Sequence, residues 1–138
     1  MYDLGKTQKD YAYYLPAISS FYVKQLEKIA KDGGRLPEGF ELGHEGMDFL
    51  KEEGSYYHYP WGLYSAGHAQ LDLTKLDGEP MITDRDRSKT MILGDSGGFQ
   101  IATGVIKMDW DNAINPDDPA RIELVDKILK WEEEQCDW

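Results

Sequence analysis

Six consecutive residues carry groups that together could bind a small planar ligand: Asp95, Ser96, Gly97, Gly98, Phe99 and Gln100. Asp95 lies just after the apolar run Met91-Ile92-Leu93, so we expect its carboxylate at the carboxyl end of a buried strand, where α/β folds place their working groups. The two glycines lack Cβ atoms, which lets a flat ligand approach their N–H groups. The ring of Phe99 can stack, and the amide of Gln100 can donate and accept hydrogen bonds. The segment therefore suits a heterocycle with several polar edges.

The same segment has two other interpretations. Gly94-Asp95-Ser96-Gly97-Gly98 is similar to the nucleophile segment of chymotrypsin-like serine proteases, and Ser65-Ala66-Gly67-His68 faintly resembles their histidine segment. That family needs two β-barrels, with far more chain between histidine and serine than separates His68 from Ser96, and a proline is expected in place of Phe99. We therefore set the protease aside. An ordinary Gly-Gly turn, in which Asp95 caps a nearby backbone group, stays open.

The elements around this segment predict an α/β fold. Met91, Ile92 and Leu93 form a short apolar run bounded by polar residues, which is typical of a parallel strand buried on both faces. Residues 56–64 are dense in aromatic side chains, which favours a strand and a packed loop. Residues 71–87 are mainly polar and predict a connecting loop.

The clearest helix follows this strand. It opens with Asp117 or Asp118 as the cap and Pro119 in the first turn. Its predicted apolar face consists of Ile122, Val125, Ile128 and Leu129. A strand, a loop and a long helix make a β/α unit, and one such unit cannot close a sheet by itself.

Two earlier helices are also predicted. One runs from Pro16 to a stop at Gly33-Gly34, and its apolar positions are Ile18, Phe21, Tyr22, Leu26 and Ile29. The other is shorter, lies between His44 and Glu53, and is closed by Gly54. Both helices would precede the candidate ligand segment in the chain.

Composition bounds the class of protein. A chain of 138 residues with 41% hydrophobic and 12% aromatic content can build the core of one domain. It has no basic segment followed by an apolar one at its start, and no apolar run approaches the length that crosses a bilayer, so we expect a cytoplasmic protein. The single cysteine, Cys136, cannot form a disulfide within the chain, which fits a reducing compartment.

The net charge of −11 opposes direct binding of nucleic acid, because proteins that bind phosphates usually gather Lys and Arg into a patch. The main group of cations is Arg85, Arg87 and Lys89, beside Lys75, and acidic residues interleave with it. We interpret this group as a solvated loop. If the function involves nucleic acid, most of the positive surface must come from elsewhere.

Residues 95–100 resemble the Asp-Ser-Gly-Gly-Phe-Gln motif of the tRNA-guanine transglycosylase superfamily, whose members include the queuine-inserting enzymes. Residues 64–71 look like the strand and loop that precede that motif, and residues 116–131 look like the helix that follows it. The resemblance covers roughly residue 62 to the end. Gly67-His68-Ala69-Gln70 is more similar to the branch that inserts 7-deazaguanine bases into phage and bacterial DNA than to the tRNA enzymes.

The resemblance implies a fold and an activity. The fold would be the N-terminal portion of a modified (β/α)8 barrel, with residues 1–60 as a helical lead-in segment and residues 61–138 as the first β/α units, including the base-binding loop. The activity would be the exchange of a guanine in DNA or tRNA for a 7-deazaguanine through a covalent aspartyl intermediate, because a nucleophilic carboxylate splits one difficult displacement into two easier ones.

The resemblance also assigns roles to the residues of the motif. Asp95 would contact the guanine edge and handle protons, and Phe99 would stack or pack. Gln100 would orient the nucleophilic aspartate, with Ser65 as a further orienting residue. The implied substrate-binding positions are therefore Ser65, Ser96, Gly97, Gly98, Phe99 and Gln100.

Several parts of the family's machinery find no counterpart in this sequence: the nucleophile, a second base-reading aspartate and the zinc site. We therefore expect no cofactor or metal in this chain, zinc being implied only for the missing C-terminal part. We also expect the chain to be catalytically incomplete and to be completed by a chain that carries the rest of the barrel. The alternative is a non-catalytic module that binds a nucleobase by itself.

Overall fold

The computed structural model describes residues 12–32, 36–75, 79–109, 111 and 115–138. Their central element is a parallel sheet of three strands, β1 (Ala17–Ile18), β2 (Trp61–Ser65) and β3 (Met91–Asp95), in the order β1-β2-β3. In its register Ile18 lies opposite Tyr64, and Ser65 lies opposite Asp95. Because parallel strands share one direction, β2 and β3 end side by side at the same edge of the sheet.

This sheet shows that the predicted barrel is wrong. A (β/α)8 barrel closes only when every strand pairs on both sides. Here β1 is two residues long, and the described residues place no strand beyond it. At the other edge, the Gly94 N–H donates to the Trp138 carbonyl at 2.6 Å and the Asp137 N–H donates to the Ile92 carbonyl at 2.9 Å. The described part of the chain is a small open α/β sheet with helices.

Four α-helices accompany the sheet: α1 (Ser20–Asp32), α2 (Pro80–Thr83), α3 (Gly98–Ala102) and α4 (Pro119–Gln135). The start of α4 is confirmed, because Pro119 is its first residue and the Asp118 carboxylate accepts a hydrogen bond from the Arg121 N–H at 2.9 Å. The strand predicted at residues 91–93 is confirmed as β3, and the aromatic stretch contributes β2. The sequence signals for these elements come from residues close together in the chain, so they could be recognised without knowledge of the tertiary structure.

The other helix predictions need correction. Helix α1 begins four residues later than predicted, because the Pro16 carbonyl accepts from the Leu63 N–H at 2.9 Å and Ile18 belongs to β1. The predicted stop at Gly33-Gly34 lies outside the described residues. The segment from His44 to Glu53 forms only a single 3-10 turn at Glu45–Met47, and α2 occupies part of the predicted loop.

The core lies between the sheet and the helices. Its largest fully buried side chains are Trp131, Tyr64, Ile82, Ile92 and Val23. The rings of Trp131 and Tyr64 make an edge contact with centroids 6.0 Å apart. The predicted apolar face of α4 is therefore wrong except for Ile128. Burying apolar area stabilises the fold in proportion to that area, so the helix is rotated about its axis to bring the large ring of Trp131 against the sheet. The residues that this leaves exposed are Ile122, Val125 and Leu129.

Two arginines that the sequence placed in a solvated loop instead hold the end of α4. An Arg85 Nη2 atom lies 2.8 Å from Asp137 Oδ2, and both side chains are buried. Arg87 binds the other carboxylate oxygen at 3.0 Å, and the Ile92 N–H donates to Asp137 Oδ2 at 2.9 Å. Burial raises the pKa of the Asp137 carboxyl, but the Ile92 N–H and the two guanidinium groups outweigh burial and hold this pKa below its ordinary value.

The remaining cations of that group are also paired, Lys89 with Glu52 at 2.6 Å and Lys75 with Asp72 at 2.7 Å. The group is therefore a set of ion pairs rather than a phosphate-binding patch. Cys136 is buried beside it, and burial raises the pKa of its thiol to about 12. None of the described helices has the length and apolar character that crossing a membrane requires.

Candidate functional site

Two polar side chains stand together where β2 and β3 end. Ser65 and Asp95 are the last residues of their strands and are cross-strand neighbours. One carboxylate oxygen of Asp95, Oδ2, accepts from the Gly97 N–H at 3.3 Å, as the simple-turn interpretation predicts. The other oxygen, Oδ1, accepts no hydrogen bond from the described residues, and the side chain is partly exposed. Asp95 therefore keeps one acceptor oxygen for a ligand.

The two glycines of the loop have different surroundings. Gly97 is buried with a φ of +75°, and a Cβ at this position would lie 2.5 Å from the backbone nitrogen of Gly67. The loops after β2 and β3 thus touch through their backbones, which only glycine permits in this left-handed conformation. Gly98 is exposed, and a Cβ there would meet only the Ser96 hydroxyl oxygen, at 3.9 Å. Gly98, rather than Gly97, is open to a flat ligand.

The contact between the loops gives a first prediction. Changing Gly97 to alanine is expected to lower the free energy of unfolding by about 2–4 kcal/mol, because it adds a backbone clash to the strain of a left-handed residue, which alone costs roughly 1–3 kcal/mol. Gly104 is the matched control, since its φ is +77° and nothing lies within 4 Å of its missing Cβ. Urea denaturation of Gly97→Ala and Gly104→Ala measures both losses. Equal losses would contradict the close contact of the two loops.

Gln100 is buried and points away from the open part of the loop. Its Oε1 accepts from the Ser65 hydroxyl at 3.3 Å, and its Nε2 lies 3.3 Å from Nε2 of His68. The methylene groups of Gln100 fill the space where a side chain on Gly67 would be. Gln100 therefore links the end of β2 to the loop that follows it.

His68 is the residue of this network to which the sequence assigned no role. The signals in the sequence were its place three residues after Ser65, in the loop that follows a strand, and its place in the segment Gly67-His68-Ala69-Gln70. Such loops carry function in α/β folds. The contact with Gln100 depends on how the loops after β2 and β3 pack together, which spacing along the chain does not reveal.

The exposed part of the loop consists of Ser96, Gly98 and Phe99. The Phe99 side chain is 74% exposed, so its ring is free to stack on a ligand. The segment thus exposes the Ser96 hydroxyl group, the Gly98 backbone and the Phe99 ring to solvent, and it partly exposes the Asp95 carboxylate. These groups can accept hydrogen bonds from the edge of a flat ligand and offer a ring for stacking on one of its faces.

The site contains neither a metal group nor a protease triad. Within the described residues, no group of three or more His, Cys, Asp or Glu side chains could hold a metal ion. Ser96 is exposed, and Nε2 of His68 faces Gln100 instead of a serine hydroxyl. Comparisons with protein-family models, with curated proteins and with solved structures find no match to this chain.

Proposed function

We propose that residues 95–100 bind guanine or a 7-deazaguanine, and that the chain takes part in the exchange of such bases in nucleic acid. The observation that carries the proposal is the carboxylate of Asp95 at the end of β3, whose Oδ1 accepts no hydrogen bond from the described residues, with the exposed ring of Phe99 four residues later in the chain. Enzymes that act on a base read its pairing edge with hydrogen bonds and stack its face on side chains. Guanine offers adjacent N–H donors on that edge, which a carboxylate accepts.

In this proposal the covalent step uses an aspartate outside the chain. Base exchange requires a nucleophile that attacks the sugar as the base departs, and Asp95 is occupied with the base itself. The nucleophile and the cations that hold the phosphates would come from a partner chain, because this chain carries a net charge of −11. DNA and tRNA are both candidate substrates, and the reaction would take place in the cytoplasm.

A non-catalytic nucleobase-binding module is the second candidate. It is favoured by the ion pairs of Asp137 with Arg85 and Arg87, which tie the end of α4 to β3 within the chain's own core. A binding module must fold without a partner, and these ion pairs stabilise the fold through residues of this chain alone. The two candidates share the base site and differ in whether exchange ever follows binding.

Binding tests the shared part of the proposal. Calorimetric titration with guanine and with 7-deazaguanine is expected to detect binding, and Asp95→Asn is expected to weaken it about tenfold to about a hundredfold, because hydrogen bonds to a charged group are lost. Asp126→Asn is the matched control, since Asp126 is an exposed carboxylate on α4. Equal affinity of Asp95→Asn and the unchanged chain would refute the role of Asp95.

Exchange separates the two candidates. Labelled guanine is offered to DNA and to tRNA side by side with the purified chain, which we expect to bind the base and to leave both nucleic acids unlabelled. Base exchange catalysed by the chain alone would mean that the nucleophile lies within this chain, and it would refute the proposal that a partner chain supplies it. Sustained exchange only after a partner chain is added would favour the enzyme over the binding module.

A further inference from the structure

A cavity of about 350 Å³ is lined by residues of helix α1, of helix α2 and of the segment around the 3-10 turn at Glu45–Met47. Its apolar lining residues come from the two helices. They are Val23 and Leu26 of α1 and Pro80 and Met81 of α2. Sites for small molecules are typically concave, largely apolar and of this size, with a few polar groups that fix the orientation of the ligand. The cavity shares no lining residue with the candidate base site at the ends of β2 and β3.

A buried carboxylate lines this cavity, because Asp48 is only 8% exposed. Its Oδ1 atom accepts from the Leu50 N–H at 3.2 Å. Its Oδ2 atom accepts no hydrogen bond from the described residues, and Nζ of Lys51, its partner in an ion pair, lies 3.7 Å away. Burial raises the pKa of the Asp48 carboxyl, and the Leu50 N–H and Lys51 offset burial only in part. A further donor at Oδ2 would therefore stabilise this buried carboxylate.

The charged lining residues give the cavity an excess of negative charge. Four carboxylates and two ammonium groups border it, and His44 is the remaining titratable residue. The carboxylates are those of Glu27, Glu45, Asp48 and Asp84, and the ammonium groups are those of Lys31 and Lys51. Glu27 is paired with Lys31, so this pair adds no net charge. The electrostatic field in the cavity favours a ligand that carries positive charge.

We propose that this cavity binds a small aliphatic amine, with its alkyl chain on the apolar lining and its ammonium group at the carboxylate of Asp48. An ammonium group offers three N–H donors, and Oδ2 of Asp48 lacks a donor. An anion would meet an excess of carboxylates, and a purely apolar ligand would leave Oδ2 without a partner. An aliphatic amine matches both the apolar lining and the charge.

Calorimetric titration with hexylamine, which is protonated at neutral pH, is expected to detect binding. Two matched ligands separate the two contributions. The first, 1-hexanol, has the same chain without the charge, and the second, methylamine, has the charge without the chain. Each is expected to bind at least about tenfold more weakly than hexylamine, because each lacks one of the two interactions. If hexylamine did not bind, or bound no better than 1-hexanol or methylamine, the proposal would be overturned.

Asp48→Asn tests the carboxylate, because asparagine keeps an acceptor for the Leu50 N–H and removes the charge. This variant is expected to bind hexylamine about tenfold to about a hundredfold more weakly. Asp126→Asn is the matched control, since it removes an exposed carboxylate of α4 outside the cavity, and it should bind hexylamine as the unchanged chain does. An Asp48→Asn chain with unchanged affinity would refute the assignment of the ammonium group to Asp48.

NMR locates the amine on the unchanged chain and requires no variant to fold. During titration with hexylamine, the Leu50 amide signal and the Met81 methyl signal are expected to move together, since Leu50 donates to Asp48 and Met81 lines the cavity. The amide signals of Ser96 and Phe99 should stay in place. If only these last signals moved, the amine would bind at the candidate base site, and the cavity would be excluded. Guanine binding and hexylamine binding can fail independently, because the two sites share no residue.

Discussion

Replacing Asp137 with alanine is expected to lower the free energy of unfolding by about 3–5 kcal/mol, because the change leaves buried guanidinium charge without its partner. The side chains of Arg85 and Asp137 are each 1% exposed, so water cannot replace the lost ion pair. The Ile92 N–H also loses its acceptor. Urea denaturation at neutral pH measures the loss.

Lys89→Ala is the control for this prediction. It breaks an ion pair with Glu52 whose side chains are 57% and 55% exposed, and such pairs contribute only about 0–1 kcal/mol. If Asp137→Ala lost no more stability than Lys89→Ala, the buried ion pair would not anchor α4 as described.

The pH dependence of stability provides a second readout of Asp137. The pKa of this carboxyl is lower in the folded chain than its ordinary value of 3.8, so its contribution is complete above that value. The contribution is lost as the pH falls below about 4 and through the folded pKa, because protonation breaks both ion pairs. Asp137→Ala should therefore lose less stability on acidification than the unchanged chain does.

Trp131→Ala is expected to cost about 3–5 kcal/mol, since truncating a fully buried aromatic ring leaves a cavity. Trp131 is 0% exposed and meets Tyr64 of β2, so the loss should detach α4 from the sheet. The Nε1 atom of Trp131 has no hydrogen-bond partner among the described residues, so Trp131→Phe gives up packing but no hydrogen bond. In urea denaturation, the free energy of unfolding of Trp131→Phe should lie between those of the unchanged chain and of Trp131→Ala.

Leu129→Ala is the matched control on the same helix, because Leu129 is 56% exposed. Its loss is expected to stay within about 0.5 kcal/mol, as for most surface substitutions. Similar losses for Leu129→Ala and Trp131→Ala would contradict the packing of α4 through Trp131, and a larger loss for Leu129→Ala would indicate that α4 packs on the face predicted from the sequence.

The parts of the fold that were predicted correctly depend on local signals. The apolar run of β3 and the Asp118-Pro119 start of α4 are determined by a few adjacent residues. Pro16 satisfied a local helix rule, yet pairing with β2 takes it into the sheet. The partner of Arg85 lies 52 residues away, so alternating charges in its own segment could not identify it. Tertiary contacts override local pattern in both cases.

The positions of the candidate site residues in the fold could likewise be predicted only where a local signal determines them. The position of Asp95 at the end of a strand follows from the apolar run before it, and β3 confirms that position. The orientation of Gln100 and the involvement of His68 depend on the contact between two loops, which requires Gly97 to lie against Gly67. The barrel was inferred from the resemblance of one short motif, and six residues do not determine how a sheet closes.

The most direct test of the account is to locate a bound base on the chain. Backbone amide signals followed by NMR during titration with guanine are expected to move most at Ser96, Gly98 and Phe99, around the unpaired oxygen of Asp95. The same signals should move much less in Asp95→Asn at matched concentrations below saturation, while Asp126→Asn should reproduce the shifts of the unchanged chain. Signals that move elsewhere, or that move equally in Asp95→Asn, would contradict the assignment of residues 95–100 as a base-binding site.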